Sequence, residues 1–287
     1  MHVHRVSAFF AFLFALSTPR AAAQTTFDDV HPVFRKYCAD CHSTQGNGAF
    51  DIANGDIHAA YADSQLPSYF ASGQTKGFAS LLRIQNGDMP LGAGCTGNPV
   101  LDAGNPPCLG AVEQARIQAW IQDGQRPPRP TTGTPYCFGD GSGTLCPCGN
   151  TGASDGGCAN TVSFSGAKLV AAGAASLAAD TLVLRGTRMP NSSALYFQGT
   201  TALAGGLGAV FGDGLRCAGG SVQRLGTQTN AAGASQFPEG LDPSISVRGA
   251  VTVPATRTYQ VWYRNAAAFC QPETFNLTNG VSLTWTP

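Results

Sequence analysis

Apolar residues recur at two different periods along this chain, and the change comes near residue 130. Val30, Val33, Phe34 and Tyr37 follow a helical spacing behind Asp28 or Asp29 as a cap, with Pro32 tolerated only in the first turn. Helices are also predicted over 79–85 and 111–123, the latter with Val112, Ile117, Trp120 and Ile121 on one face and Gly124 suited to the C-cap. Beyond Tyr136 the apolar runs shorten to 161–164, 181–185, 194–197, 209–211, 245–253, 258–263 and 281–285. These runs are rich in β-branched and aromatic residues and punctuated by Gly, Asn and Pro, which predicts an all-β sandwich-like domain. Tyr196, Phe197, Phe211, Tyr259, Trp262, Tyr263 and Trp285 are numerous enough to fill its core.

Between the two regions, Pro127, Pro128, Pro130 and Pro135 stiffen a polar stretch, so 126–135 reads as a semi-rigid linker. The expected organisation is a helical domain over 24–125, the linker, and a β domain over 136–287. Residues 1–23 have the form of a secretory signal: His2, His4 and Arg5, an apolar core over 6–16, then Ala21, Ala22 and Ala23. The apolar core is too short to span a bilayer and no later segment approaches the roughly 20 apolar residues of a transmembrane helix. A periplasmic or secreted protein beginning near Gln24 is therefore expected.

Composition narrows the function classes. The formal net charge is zero and charged residues make up 12% of the chain, about half the usual share, so neither a nucleic-acid footprint nor a polybasic membrane surface is visible. Residues 136–287 contain no His, which excludes a Ser-His-Asp hydrolase, a Cys-His protease and a His-ligated metal enzyme there. Asp140 and Asp213 sit in Gly-Asp-Gly turns that could bind calcium, but the EF-hand spacing is absent and turn chemistry accounts for them.

The strongest chemical signal is Cys38-Ala39-Asp40-Cys41-His42. Two thiols three positions apart, followed at once by an imidazole, are what covalent haem attachment requires: the sulfurs add to the vinyl groups and His42 Nε2 becomes the proximal iron ligand. A zinc ribbon would need a second close Cys pair, which Cys95 and Cys108 do not supply, and a redox dithiol would need a βαβ context. The other eight Cys form an even set suited to disulfides outside the cytoplasm.

These residues carry a resemblance. Val30-His31-Pro32-Val33-Phe34 ahead of the Cys38–His42 motif, then Gly87-Asp88-Met89-Pro90, then the run from Ile117 to Gly124, resemble a class I cytochrome c, and more closely the planctomycete-type cytochrome c domain. The resemblance implies a small all-α cytochrome c domain holding one covalent haem c, with the distal ligand in the Met89 segment. The chain departs from the family in a Cys-bearing insertion between Met89 and the last helix. The segment from Cys137 through Cys158, with the Gly-rich stretches leading to Cys217, is similar to a Cys-rich C-terminal domain of secreted planctomycete-type proteins that implies no activity.

Met89 is the distal candidate on the residues as well, being the only Met between Gln24 and the linker; His58 is the rival, and His31 reads as a partly buried side chain near the haem. Cys95 and Cys108 are expected to close a Gly/Pro/Asn-rich loop worth about 3 kcal/mol, and to clasp the Met89 segment to the last helix. Cys217 is expected to pair with Cys270, leaving Cys137, Cys146, Cys148 and Cys158 to close the head of the β region. The leading expectation is a monohaem electron carrier rather than an enzyme, serving a redox partner protein while the β region docks a surface or protein. An extracellular binding or adhesion protein with an accessory or sensor haem, and a haem enzyme with an open distal site, stay open beside it.

Overall fold

The first helix begins where Asp29 reaches back to its own cap: Asp29 Oδ2 accepts from the Thr26 amide at 2.8 Å, and α1 runs Phe27–Cys38. The structure is a computed structural model, which describes residues 24–43, 50–265 and 269–287. The expected export signal at 1–23 lies outside the described residues. Three further helices follow, α2 (Ile57–Ser64), α3 (Lys76–Gln85) and α4 (Ala111–Gln122). The helix α2 has no apolar periodicity; Asp56 starts it by accepting from the His58 amide at 2.9 Å. Helices α1 and α4 meet through aromatic rings, with Phe27 and Phe34 against the fully buried Trp120 at 5.3 and 6.4 Å between centroids.

The remaining chain forms β1 (Thr131–Thr132), β2 (Thr134–Tyr136), β3 (Lys168–Ala172), β4 (Val183–Thr187), β5 (Ser193–Gly199), β6 (Thr201–Ala202), β7 (Ala209–Phe211), β8 (Gly214–Arg216), β9 (Ala218–Gly219), β10 (Gln223–Thr229), β11 (Ser235–Phe237), the short helix α5 (Ile245–Arg248), β12 (Thr256–Arg264), β13 (Phe275–Leu277) and β14 (Gly280–Thr284). One sheet has the order β1-β3-β4-β11 and the other β10-β5-β12-β14-β2, with β13 added on β12; β6 pairs with β9 and β7 with β8. Every ladder is antiparallel. The larger core draws on both main sheets, packing Leu169, Leu184 and Phe237 with Tyr196, Tyr259, Val261 and Trp285. Two expected strands are absent: 161–164 lies in turns, and 245–253 contains α5, on which Ile245 is buried while Val247 points outward.

The expectation of a small all-α domain followed by a separate all-β domain is overturned. The described chain is mostly β, with fourteen strands and five short helices, and α1 is bonded directly to a sheet. Of Asp28 and Asp29, both expected as cap candidates, Asp29 closes the capping box with the N-cap Thr26, whereas the Asp28 carboxylate is fully buried and paired with the Arg185 guanidinium of β4, with Nε 2.6 Å from Oδ1. Pro32 stands in the second turn of α1, so the Asp28 carbonyl has no helical donor, and Gln236 Nε2 of β11 donates to it at 2.8 Å. Arg35 donates to the Ala234 carbonyl from the next turn. The proline-rich stretch also joins the sheets, with β1 on β3 and β2 on β14, and Arg126 bridges Thr26.

Among the described residues no helix is long and apolar enough to cross a membrane. Four disulfides close, which is consistent with a secreted or periplasmic protein.

Candidate functional site

Cys38 is the last residue of α1, and the chain turns tightly there: the Cys41 and His42 amides donate to the Cys38 carbonyl at 3.2 and 2.8 Å. Both sulfurs and the imidazole therefore leave the same turn. The His42 carbonyl accepts from the Ala53 amide at 2.9 Å, while His42 Nδ1 lies 3.0 Å from the Phe50 carbonyl oxygen. A carbonyl can only accept, so Nδ1 carries the proton and Nε2 keeps its lone pair for a metal. The Phe50 carbonyl is a partner no sequence pattern marks, because it is set by how 50–53 folds back over the motif.

The two thiols differ in setting. Cys41 is exposed, whereas Cys38 is half-buried, and burial, then the neighbouring Cys41, push its thiol up to about 12. This is the opposite of the lowered thiol of a nucleophilic or redox-exchange cysteine. Among the described residues no group of three or more His, Cys, Asp or Glu could hold a metal ion by itself. One imidazole beside two thiols, with no fourth ligand among the described residues, fits a haem bound through its substituents better than a four-ligand zinc site.

The other cysteines sharpen the contrast. Of the ten in the chain, eight are paired, as Cys95–Cys108, Cys137–Cys217, Cys146–Cys158 and Cys148–Cys270, and only Cys38 and Cys41 are free. The expected Cys217–Cys270 bond is corrected. Cys217 lies fully buried between β8 and β9, where its amide donates to Gln260 Oε1 at 2.8 Å and its carbonyl accepts from Tyr136, beside Cys137. Cys270 instead reaches Cys148.

Met89 follows α3 in a turn closed by the Asp88 amide donating to the Arg83 carbonyl at 2.9 Å. Gly87 takes φ +75° there, and a Cβ would stand 2.6 Å from the Cys95 carbonyl oxygen, so the turn is seated directly on the Cys95–Cys108 loop. Asp102 holds that loop, accepting from the Thr96 and Gly97 amides at 2.8 and 3.0 Å, and these bonds lower its carboxyl. Met89 is half-buried, and with Cys38 and Phe50 it borders the apolar cluster of Phe34, Ile52, Leu81 and Ile84.

Among the described residues, the two other histidines lie elsewhere. His58 is exposed on the first turn of α2. His31 is buried with Nε2 2.7 Å from the Asn54 carbonyl oxygen, and burial pushes its pKa well below the ordinary value. In the β region, Asp140 accepts from the Ser142 amide, and buried Asp213 accepts from Asn265 and from the Gln271 amide, so both carboxylates already serve the fold. No protein-family model, curated protein or solved structure matches the chain, and the reading of the site stands on its own residues.

Proposed function

We propose that this protein is an exported monohaem c-type cytochrome that carries single electrons for a redox partner protein. The observation that carries the reading is the state of the cysteines. In a chain where every other Cys is oxidised to a disulfide, the two left as thiols are those of the Cys38–His42 motif.

Cys38 and Cys41 would hold haem c through thioether bonds, and the haem supplies an iron centre that changes oxidation state by one electron. His42, its Nδ1 proton fixed on the Phe50 carbonyl, offers Nε2 as proximal ligand in one orientation. Met89 is the proposed distal ligand, held on a turn backed by a disulfide loop. The apolar cluster beside these residues would limit water at the group and so, together with its protein ligands, tune the potential. No step in this role needs a general base or nucleophile, in keeping with an electron carrier rather than an enzyme. Export follows from the form of residues 1–23 and from the disulfides.

Acid-solvent extraction of the purified protein tests the proposal. Haem should stay with the wild-type chain and be lost from Cys38→Ala/Cys41→Ala; extractable haem or stoichiometric zinc in the wild type would overturn it. For the distal ligand, Met89→Ala should abolish the thioether-to-iron charge-transfer band. A wild type without that band, together with a spin-state change in His58→Ala, would assign two histidines instead.

A further inference from the structure

The six-stranded sheet leaves apolar residues on the face opposite its core. Across three strands Leu195 (β5), Trp262 (β12) and Leu277 (β13) stand abreast, with Phe197 two residues along β5 on the same face. The β7–β8 hairpin raises Phe211 beside them, its ring 4.9 Å from Phe275, which packs on Trp262 at 5.3 Å. Leu195, Phe197, Phe211, Trp262 and Leu277 line an open groove of about 510 Å³, within the range of small-molecule sites.

Its charge is of one sign. Arg216, Arg224 and Arg264 line the groove, no Asp or Glu does, and none of the three forms an ion pair among the described residues. Arg264 lies over the Trp262 ring at 5.3 Å and donates to Thr274, Arg216 lies 5.9 Å from the Phe211 ring and donates to the Ala218 carbonyl, and Arg224 is exposed on β10. A neutral sugar would need side-chain acceptors for its hydroxyls, and the groove offers only those of Ser193 and Thr227. A nucleic-acid strand would need a basic track, which a chain of zero net charge with three local arginines does not supply.

We infer that this groove binds an amphipathic organic monocarboxylate, its apolar body lying on Leu195, Phe197 and Trp262 and its carboxylate held within the positive field of Arg216, Arg224 and Arg264. Guanidinium forks suit a carboxylate, and the aromatic floor contributes area without a fixed polar pattern. The inference does not depend on the haem assignment.

Calorimetric titration of the full-length holoprotein with decanoate, below its micelle concentration, tests it against decyltrimethylammonium, which has the same chain and the opposite charge. Decanoate should bind at one site per chain, at least about tenfold tighter than the cation. Arg224→Gln/Arg264→Gln should weaken it about tenfold, and Trp262→Ala should weaken it too. Arg224→Gln alone removes an exposed side chain that has no hydrogen bond or ion pair among the described residues, so a fold-neutral variant is available and should show part of the loss. Equal affinity for the cation, decanoate binding unchanged in these variants, or silence toward decanoate with binding of an acidic oligosaccharide or an oligonucleotide would each overturn the assignment.

Discussion

Replacing Asp28 by Ala should destabilise the protein far more than a helix-capping role would allow. The carboxylate is fully buried, accepts from Arg185 Nε at 2.6 Å and from the Arg129 amide at 2.7 Å, and stands 3.6 Å from the Arg129 guanidinium. Removing it leaves the Arg185 guanidinium, with 8% of its side chain exposed, holding one acceptor, the Arg129 carbonyl at 3.1 Å. It also strands the Arg129 amide. Breaking a buried pair from one side costs about 3–5 kcal/mol, whereas losing an N-terminal acidic residue costs about 0.3–1 kcal/mol. At about 2–4 °C per kcal/mol for a chain of this size, the midpoint of thermal unfolding should drop by roughly 6–20 °C. Urea and thermal unfolding followed by far-UV circular dichroism at pH 7 would measure it, with the haem state held equal. Replacing both partners, Asp28→Leu with Arg185→Met, should recover most of the loss, because neither charge is then stranded. A cost below about 1 kcal/mol for Asp28→Ala, the value of an exposed pair, would refute the claim that this pair joins α1 to the sheet.

His31 is held neutral by burial, so the unfolded chain takes up the proton first as pH falls. Its contribution to stability is complete above about pH 6.5 and declines below it by at most about 1.4 kcal/mol per pH unit; urea midpoints at pH 7.5 and 5.5 should differ in that sense, and His31→Gln should flatten the difference. Gly87→Ala places a methyl group against the Cys95 carbonyl in a backbone conformation unsuited to Ala, and, on the proposed Met89 ligation, should shift or weaken the thioether band before it unfolds the chain. Cys95→Ala/Cys108→Ala opens a loop with a sequence separation of 13 and should lower stability by about 3 kcal/mol in urea titration, with the proposed Met89 band lost at lower urea than global unfolding. A band that survives to the global transition would show that the loop does not clasp Met89.

Much of the local structure is legible in the residues. The 3.6-residue recurrence of Val30, Val33, Phe34 and Tyr37 marks α1, and the runs at 79–85 and 111–123 mark α3 and α4, because a helix face is a short-range pattern. Helix α2 escaped, since its start depends on a single Asp56 cap and its sequence lacks a stripe. Strand β3 is Ala-rich and β10 is polar, so neither carries a strand signal; they form because β4 and β5 offer open edges to pair with. The run at 245–253 misled because β-branched residues suggest a strand wherever they fall, and here only Ile245 faces inward on α5.

By itself the sequence determined the short-range chemistry: two thiols and an imidazole within five residues, a disulfide between cysteines 13 apart, and helices written in apolar spacing. Tertiary structure alone decided which long-range cysteines met, that Pro32 would free a carbonyl for Gln236, that Asp28 would be a buried anchor, and that Phe50 would hold the His42 ring. These outcomes depend on desolvation and on hydrogen-bond partners brought from 8 to 208 positions away, which no local pattern encodes.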